Sequence, residues 1–156
     1  MTDTVSDRLA ELGIDLPEPA APVAAYVPAV EAGGLLYISG QLPFRAGGSL
    51  ITGTLGKDVG LEQGQEAAAR CAVMLIAQMK KALGSLDRVE RIVKLGGFVA
   101  SDPHFTEQPK VANGASELME KLFGEAGRHA RSAVGVPCLP RGAAVEVDAI
   151  VAVKGD

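Results

Sequence analysis

The chain contains no tryptophan and has only two tyrosines and four phenylalanines among its 156 residues. A surface that grips nucleic-acid bases needs aromatic faces to stack them on, and so few rings cannot supply a run of platforms. Basic charge is short as well, with 15 Lys and Arg against 19 Asp and Glu and a net charge of −4. Affinity for a phosphate backbone comes largely from Lys and Arg displacing counterions, so nucleic acid is not an expected partner. Cys71 and Cys138 form no CxxC pair, and the two histidines have no HxxxH arrangement. No metal site is expected, and the thiols are expected to be reduced. The glycines of GGSLITGTLG do not make GxxxxGK[ST], and no GxGxxG follows a strand, so the sequence calls for no nucleotide cofactor. No apolar run approaches the roughly 20 residues that cross a bilayer. The opening MTDTVSDRLAEL is acidic and lacks the apolar core of a signal peptide, so a cytoplasmic protein without a membrane partner is expected.

What remains is a chain with 47% hydrophobic and 22% charged residues, a composition that fits one globular domain over residues 1–156. Residues 1–21 read as an N-terminal helix and an extended arm. Ser6 precedes DRLAEL and Gly13 follows it, giving a helix over 7–12, while the prolines of LPEPAAP prevent regular structure. Val23–Val30 and Leu35–Ser39 read as a hairpin around Gly33-Gly34, and a short strand is expected over Leu50–Thr52. From Leu61 to Leu83, Ala68, Cys71, Leu75, Met79 and Ala82 fall at helical spacing before Gly84. Arg88–Ala100 reads as a strand with a bulge or a close backbone approach at Gly96-Gly97. A second helix, capped by Thr106, carries Val111, Ala115, Leu118 and Leu122 and stops at Gly124. Ala130–Val136 and Ala143–Val153 then read as a closing hairpin. The order predicts an α+β fold, one sheet with two helices on one face. The uncovered face predicts association of copies of the chain.

The closing strands raise the chemical question, because Arg131 and Glu146 sit in apolar runs. Period-two alternation sends Arg131, Ala133 and Gly135 to one side of their strand, and Glu146, Asp148 and Ile150 to one side of theirs. A guanidinium suits a carboxylate, and a half-buried Glu can exchange protons. The same residues can equally pair with each other or face solvent. Tyr26 can offer a binding hydroxyl or simply be an interface residue, and Asn113 can be a solvated helix residue or a donor at an interface. His104 and His129 have no Ser or Cys partner at a recognisable spacing, so both are expected on loops or surface.

LLYISGQLP at 35–43, ARSAVGV at 130–136 and LPRGAAVEVDAI at 139–150, in this order and spacing, resemble the reactive-intermediate deaminase family, the Rid or YjgF-like proteins. The start DRLAELGIDLP and the stretch NGASELMEKLFGEAGRHARSAVGV resemble one branch of it, with an extra N-terminal helix. The resemblance implies a chorismate-mutase-like fold assembled as a homotrimer with three clefts between subunits. It implies hydrolysis of 2-imino acids, small carboxylate-bearing imines, to 2-oxo acids and ammonia, without cofactor or metal. By position, Arg131 matches the arginine that binds the substrate carboxylate and Glu146 the glutamate that positions and activates water. Ala133 stands where many members have Cys, at a position whose backbone carbonyl makes the second water contact. Tyr26 matches the cleft tyrosine, Gly40 the point where backbone approaches the ligand, and Asn113 the asparagine of the second helix. The alternative from another class is a module that captures small carboxylates in the same clefts without turnover.

Overall fold

The computed structural model describes residues 4–19 and 24–155. Its elements, in chain order, are α1 (Thr4–Glu11), β1 (Ala29–Ala32), β2 (Leu35–Gln41), α2 (Leu61–Leu83), β3 (Val89–Ala100), α3 (Gln108–Phe123), β4 (Ala130–Val136) and β5 (Val145–Val153). The strands form one mixed sheet in the order β1-β2-β5-β3-β4. β3 and β4 run parallel and all other neighbours antiparallel. The α+β architecture read from the sequence is the one observed, with a third, short helix at the start of the chain.

α2 forms where the apolar stripe is longest, and its charges suit its dipole: Glu62 lies in the first turn, Lys80 and Lys81 in the last. Gly84 stops it with φ 82°, a conformation that costs a residue without Cβ little, and its N–H bonds the Lys80 carbonyl at 2.8 Å. The stripe of α2 packs with α3 on the face of the sheet that carries Leu36, Ile92, Leu95, Val99, Val147 and Val151, all buried. The two helices approach closely because Gly114 leaves room for the Gln65 backbone, which lies where a Cβ would stand. Gln65 Nε2 also donates to the Lys110 carbonyl at 3.0 Å.

Several local expectations shift. α1 begins at Thr4, so Ser6 lies inside it and is not its cap. The first hairpin strand starts at Ala29, and residues 24–28 bend instead, ending at Pro28, which has no N–H for a ladder; Val23 lies outside the described residues. Leu50 and Thr52 make only isolated bridges, to Phe44 and Ala143. The irregularities of β3 against β5 fall between Val89 and Lys94, ahead of Gly96-Gly97. Gly96 serves instead as a close approach, the Asp148 carboxylate occupying the space of its missing side chain. Glu107, not Thr106, is the N-cap of α3, with Pro109 in the first turn.

The larger correction concerns the closing hairpin. β4 and β5 are both strands, but they do not pair, because β3 lies between them. β4 returns parallel to β3 through α3, the crossover that parallel pairing requires. Residues 137–144 then carry the chain past β3, a step of about 10 Å at the usual strand spacing. β5 is alternately apolar and needs a neighbour on each edge, which β2 and β3 provide.

Among the described residues, one face of the sheet carries no helix. On it lie Val30, Tyr37 and Val134, 49%, 44% and 47% exposed, with Lys94, Phe98, Glu146, Asp148 and Ile150 between them by register.

The contact of α2 with α3 depends on Gly114. Gly114→Ala gains helix propensity of about 1 kcal/mol yet inserts a methyl group into the Gln65 backbone. A net loss of about 1–3 kcal/mol is expected in urea unfolding.

Candidate functional site

α3 and β4 build one group of polar residues. Pro109, Asn113, Ser116 and Glu120 recur at intervals of four, three and four along α3, so they share one face of it. Arg131 stands opposite Leu95 in the ladder and projects to the helix side of the sheet. Its Nη1 donates to Asn113 Oδ1 at 2.8 Å and to Ser116 Oγ at 3.1 Å, and its Nη2 donates to the Pro109 carbonyl at 3.2 Å. A guanidinium has five N–H donors in a rigid plane. Both Nη1 hydrogens and one of Nη2 are thus committed, leaving Nε–H and the second Nη2–H, which share one edge. Among the described residues Arg131 makes no ion pair with a carboxylate. That edge is free to receive one.

Ala133 follows two residues on, on the same face of β4. The Ser132 carbonyl lies 3.5 Å from where a Cβ of Gly97 would be, so it points toward β3. Peptide groups of a strand alternate in direction, so the Ala133 carbonyl points out from the edge of the sheet.

The second group lies across the sheet. Glu146 pairs in register with Phe98 and projects to the helix-free face, so Arg131 and Glu146 of one chain stand on opposite faces and do not pair with each other. Gly40 of β2 lies against Glu146, whose carboxylate fills the space a Cβ at Gly40 would need. Burial, and then the neighbouring Asp148, raise the Glu146 carboxyl above its ordinary range. Burial also raises Asp148, opposed by a Gly96 N–H and by Lys94. Tyr26 and Gly40 line one shallow pocket of about 150 Å³ with Gln41, Phe44, Met74 and Gln78. Tyr26 is 56% exposed and lies in the bend before β1, not in a strand.

The sequence-predicted residues therefore gather into two clusters: Arg131, Asn113 and Ala133 in one, Glu146, Gly40 and Tyr26 in the other. Asn113 is a direct partner of Arg131 rather than a solvated helix residue. Cys71 is buried beneath the sheet, where burial and the Glu146 charge push its thiol well up and keep it un-ionised. His104 lies in the turn after β3, as expected.

His129 lies on the loop before β4, as expected, but meets a serine partner that the sequence did not show. Its Nε2 lies 2.9 Å from Ser116 Oγ and its Nδ1 2.7 Å from the Gly127 carbonyl. A carbonyl only accepts, so Nδ1 carries the proton. Burial lowers the His129 pKa, and Arg131 lowers it further against the Gly127 bond and Glu120. The neutral ring then accepts from the Ser116 hydroxyl, and Ser116 accepts from Arg131. Ser116 and the Pro109 carbonyl went unread in the sequence, although their helical spacing from Asn113 was a usable signal. The pairing with His129 was not, since it depends on the turn that brings β4 back beside α3.

Among the described residues no group of three His, Cys, Asp or Glu converges to hold a metal ion, and no helix is long and apolar enough to cross a membrane.

Residues 6–151 match the family model described as YjgF/chorismate_mutase-like, putative endoribonuclease. The chain belongs to the YjgF family. It is 55% identical over 148 residues to protein TCP17 of Trypanosoma cruzi, covering 94% of this chain and 92% of that one. A crystal structure of Agrobacterium tumefaciens Atu1372, a protein of unknown function, is 50% identical with a TM-score of 0.89, covering 97% of this chain and 94% of that one. A 2-iminobutanoate/2-iminopropanoate deaminase of Dermatophagoides farinae is 26% identical over 142 residues, covering 90% of this chain and 95% of that protein. The α+β, chorismate-mutase-like sheet is thus a property this chain shares with its family.

The raised Glu146 carboxyl has a consequence for stability. A Glu whose folded pKa exceeds its unfolded value destabilises the fold while ionised, and that cost disappears once both states are protonated. Glu146→Gln is therefore expected to raise the unfolding free energy at pH 7. The gain should shrink as pH falls through the raised pKa and vanish below about 4.5, the ordinary Glu value, in urea melts across pH.

Proposed function

We propose that this YjgF-family chain hydrolyses 2-imino acids to 2-oxo acids and ammonia, in clefts completed by the meeting of Arg131 of one copy with Glu146 of another, three copies to an assembly. The observation that carries the reading is the Arg131 guanidinium, tied to α3 by three N–H donors and left with one two-donor edge that no carboxylate among the described residues occupies. A planar edge of two N–H groups fits a carboxylate bidentately.

With the carboxylate so held, the imine carbon lies toward the Ala133 carbonyl, which can accept a hydrogen bond from the attacking water. Glu146, with its carboxyl poised by burial, takes a proton from that water as the oxygen bonds to the imine carbon. The proton passes to the imine nitrogen to give a carbinolamine, its hydroxyl proton then moves to the amine as the C=O bond forms and the C–N bond breaks, and ammonia leaves the 2-oxo acid. Imines hydrolyse unaided, so positioning and an acid/base contribution on the order of 10²–10⁴ suffice. Tyr26 and Gly40 come with Glu146 and would close the cleft around the substrate. The helix-free face, with Val30, Tyr37 and Val134 exposed, supports association, which removes such a patch from water. The deaminase among its relatives accords with the same reaction.

A carboxylate-binding module without turnover is the second reading, favoured by the completeness of the Arg131 cluster within one chain. Ribonuclease action, the other activity in the family description, is opposed by the net charge of −4 and the lack of tryptophan.

2-Iminopropionate generated by a dehydratase separates the readings. Wild type should hasten its decay and sediment as three copies. Arg131→Ala should lose at least about a hundredfold in kcat/KM from two charge-assisted hydrogen bonds. Glu146→Gln should lose about 10²–10⁴ in kcat, and Gly40→Ala should lose kcat with it. Equal decay with wild type and Arg131→Ala, both still assembled, leaves the binding module.

A further inference from the structure

The guanidinium of Arg131 is held from behind by a chain of hydrogen bonds whose far end is His129. Arg131 Nη1 donates to Ser116 Oγ at 3.1 Å, Ser116 Oγ–H donates to His129 Nε2 at 2.9 Å, and His129 Nδ1–H donates to the Gly127 carbonyl at 2.7 Å. Each donor meets an acceptor, so the Ser116 lone pair is aimed at Arg131. The Asn113 and Pro109 contacts hold the other two N–H groups. Ser116, Gly127, His129 and Arg131, with Glu120 and Arg128, line a pocket of about 230 Å³ at this spot.

We propose that Ser116 and His129 are positioning residues for the carboxylate clamp. Neutral His129 fixes the Ser116 hydroxyl as an acceptor, and Ser116 in turn fixes the plane of Arg131 so that its Nε/Nη2 edge faces the cleft. This rests on the deaminase reading, in which Arg131 receives the substrate carboxylate. The pair acts on binding and leaves the water chemistry, which belongs to Glu146, untouched.

The arrangement also couples the two ends. The charged groups facing His129 are Arg131 on β4, Glu120 on α3 and Arg128 beside it in sequence, with Arg91 of β3 donating to the Arg128 carbonyl at 2.7 Å. Arg131 disfavours a proton on His129. A proton on Nε2 would turn that nitrogen from acceptor to donor and release the Ser116 hydroxyl, so carboxylate affinity should fall as pH falls through the His129 midpoint, and by linkage bound carboxylate should lower that midpoint.

The test uses the full chain, 2-iminopropionate turnover and pyruvate as a carboxylate probe. Ser116→Ala should raise KM and the pyruvate Kd about tenfold, the loss of one hydrogen bond to a charged group, with kcat within about twofold. Ser116→Thr, which keeps the hydroxyl, should restore both, and His129→Gln should lie between them. In wild type, saturating pyruvate should move the His129 midpoint downward in an NMR titration, a readout that needs no variant to fold. An unchanged KM and Kd in Ser116→Ala, or a His129 midpoint that pyruvate leaves in place or raises, overturns the proposal while the deaminase reading stands. A wild type that neither binds pyruvate nor turns over the imine removes both.

Discussion

The fixation of one guanidinium to one helix organises the candidate site of this protein. Arg131 leaves the β4 strand toward α3 and spends three N–H donors on Asn113, Ser116 and the Pro109 carbonyl. That arrangement needs β4 to run beside β3 after the α3 crossover, and it needs Pro109, Asn113 and Ser116 on one helical face. A guanidinium anchored in this way loses little further freedom when a carboxylate arrives. The local fold and the proposed binding chemistry therefore share one cause.

The sheet separates what the proposed chemistry must combine. Arg131 lies on the helix side and Glu146 on the bare side, where Gly40 makes room for its carboxylate and Asp148 adds to its reluctance to ionise. A carboxylate that is half-buried, raised in pKa and without a salt-bridge partner among the described residues does not serve stability. Paired with the exposed Val30, Tyr37 and Val134, it marks a face suited to meet another copy, and the proposed cleft is the place where the two half-sites face each other.

Much of this was legible in the sequence, for reasons that differ between elements. α2 was readable to the residue because a 23-residue stripe and Gly84 leave little ambiguity. Arg131, Glu146, Gly40 and Asn113 were singled out as candidates through motif resemblance, and alternation along each strand correctly placed the charges of β4 and β5 on defined faces. Alternation says nothing about which strand is the neighbour, so the supposed hairpin concealed that β3 separates β4 from β5. Nor could spacing reveal the pairing of His129 with Ser116, which arises only when the turn after α3 folds back.

The central claim is that catalysis draws Arg131 and Glu146 from different copies, and complementation tests it most directly. Arg131→Ala and Glu146→Gln chains, each inactive alone, would be co-assembled in equal amounts and assayed with 2-iminopropionate. Clefts joining an intact Arg131 to a neighbour's intact Glu146 should return about a quarter of wild-type activity with random mixing in a closed ring. Activity no higher than that of the separate variants, in assemblies shown to be mixed, would contradict the shared cleft.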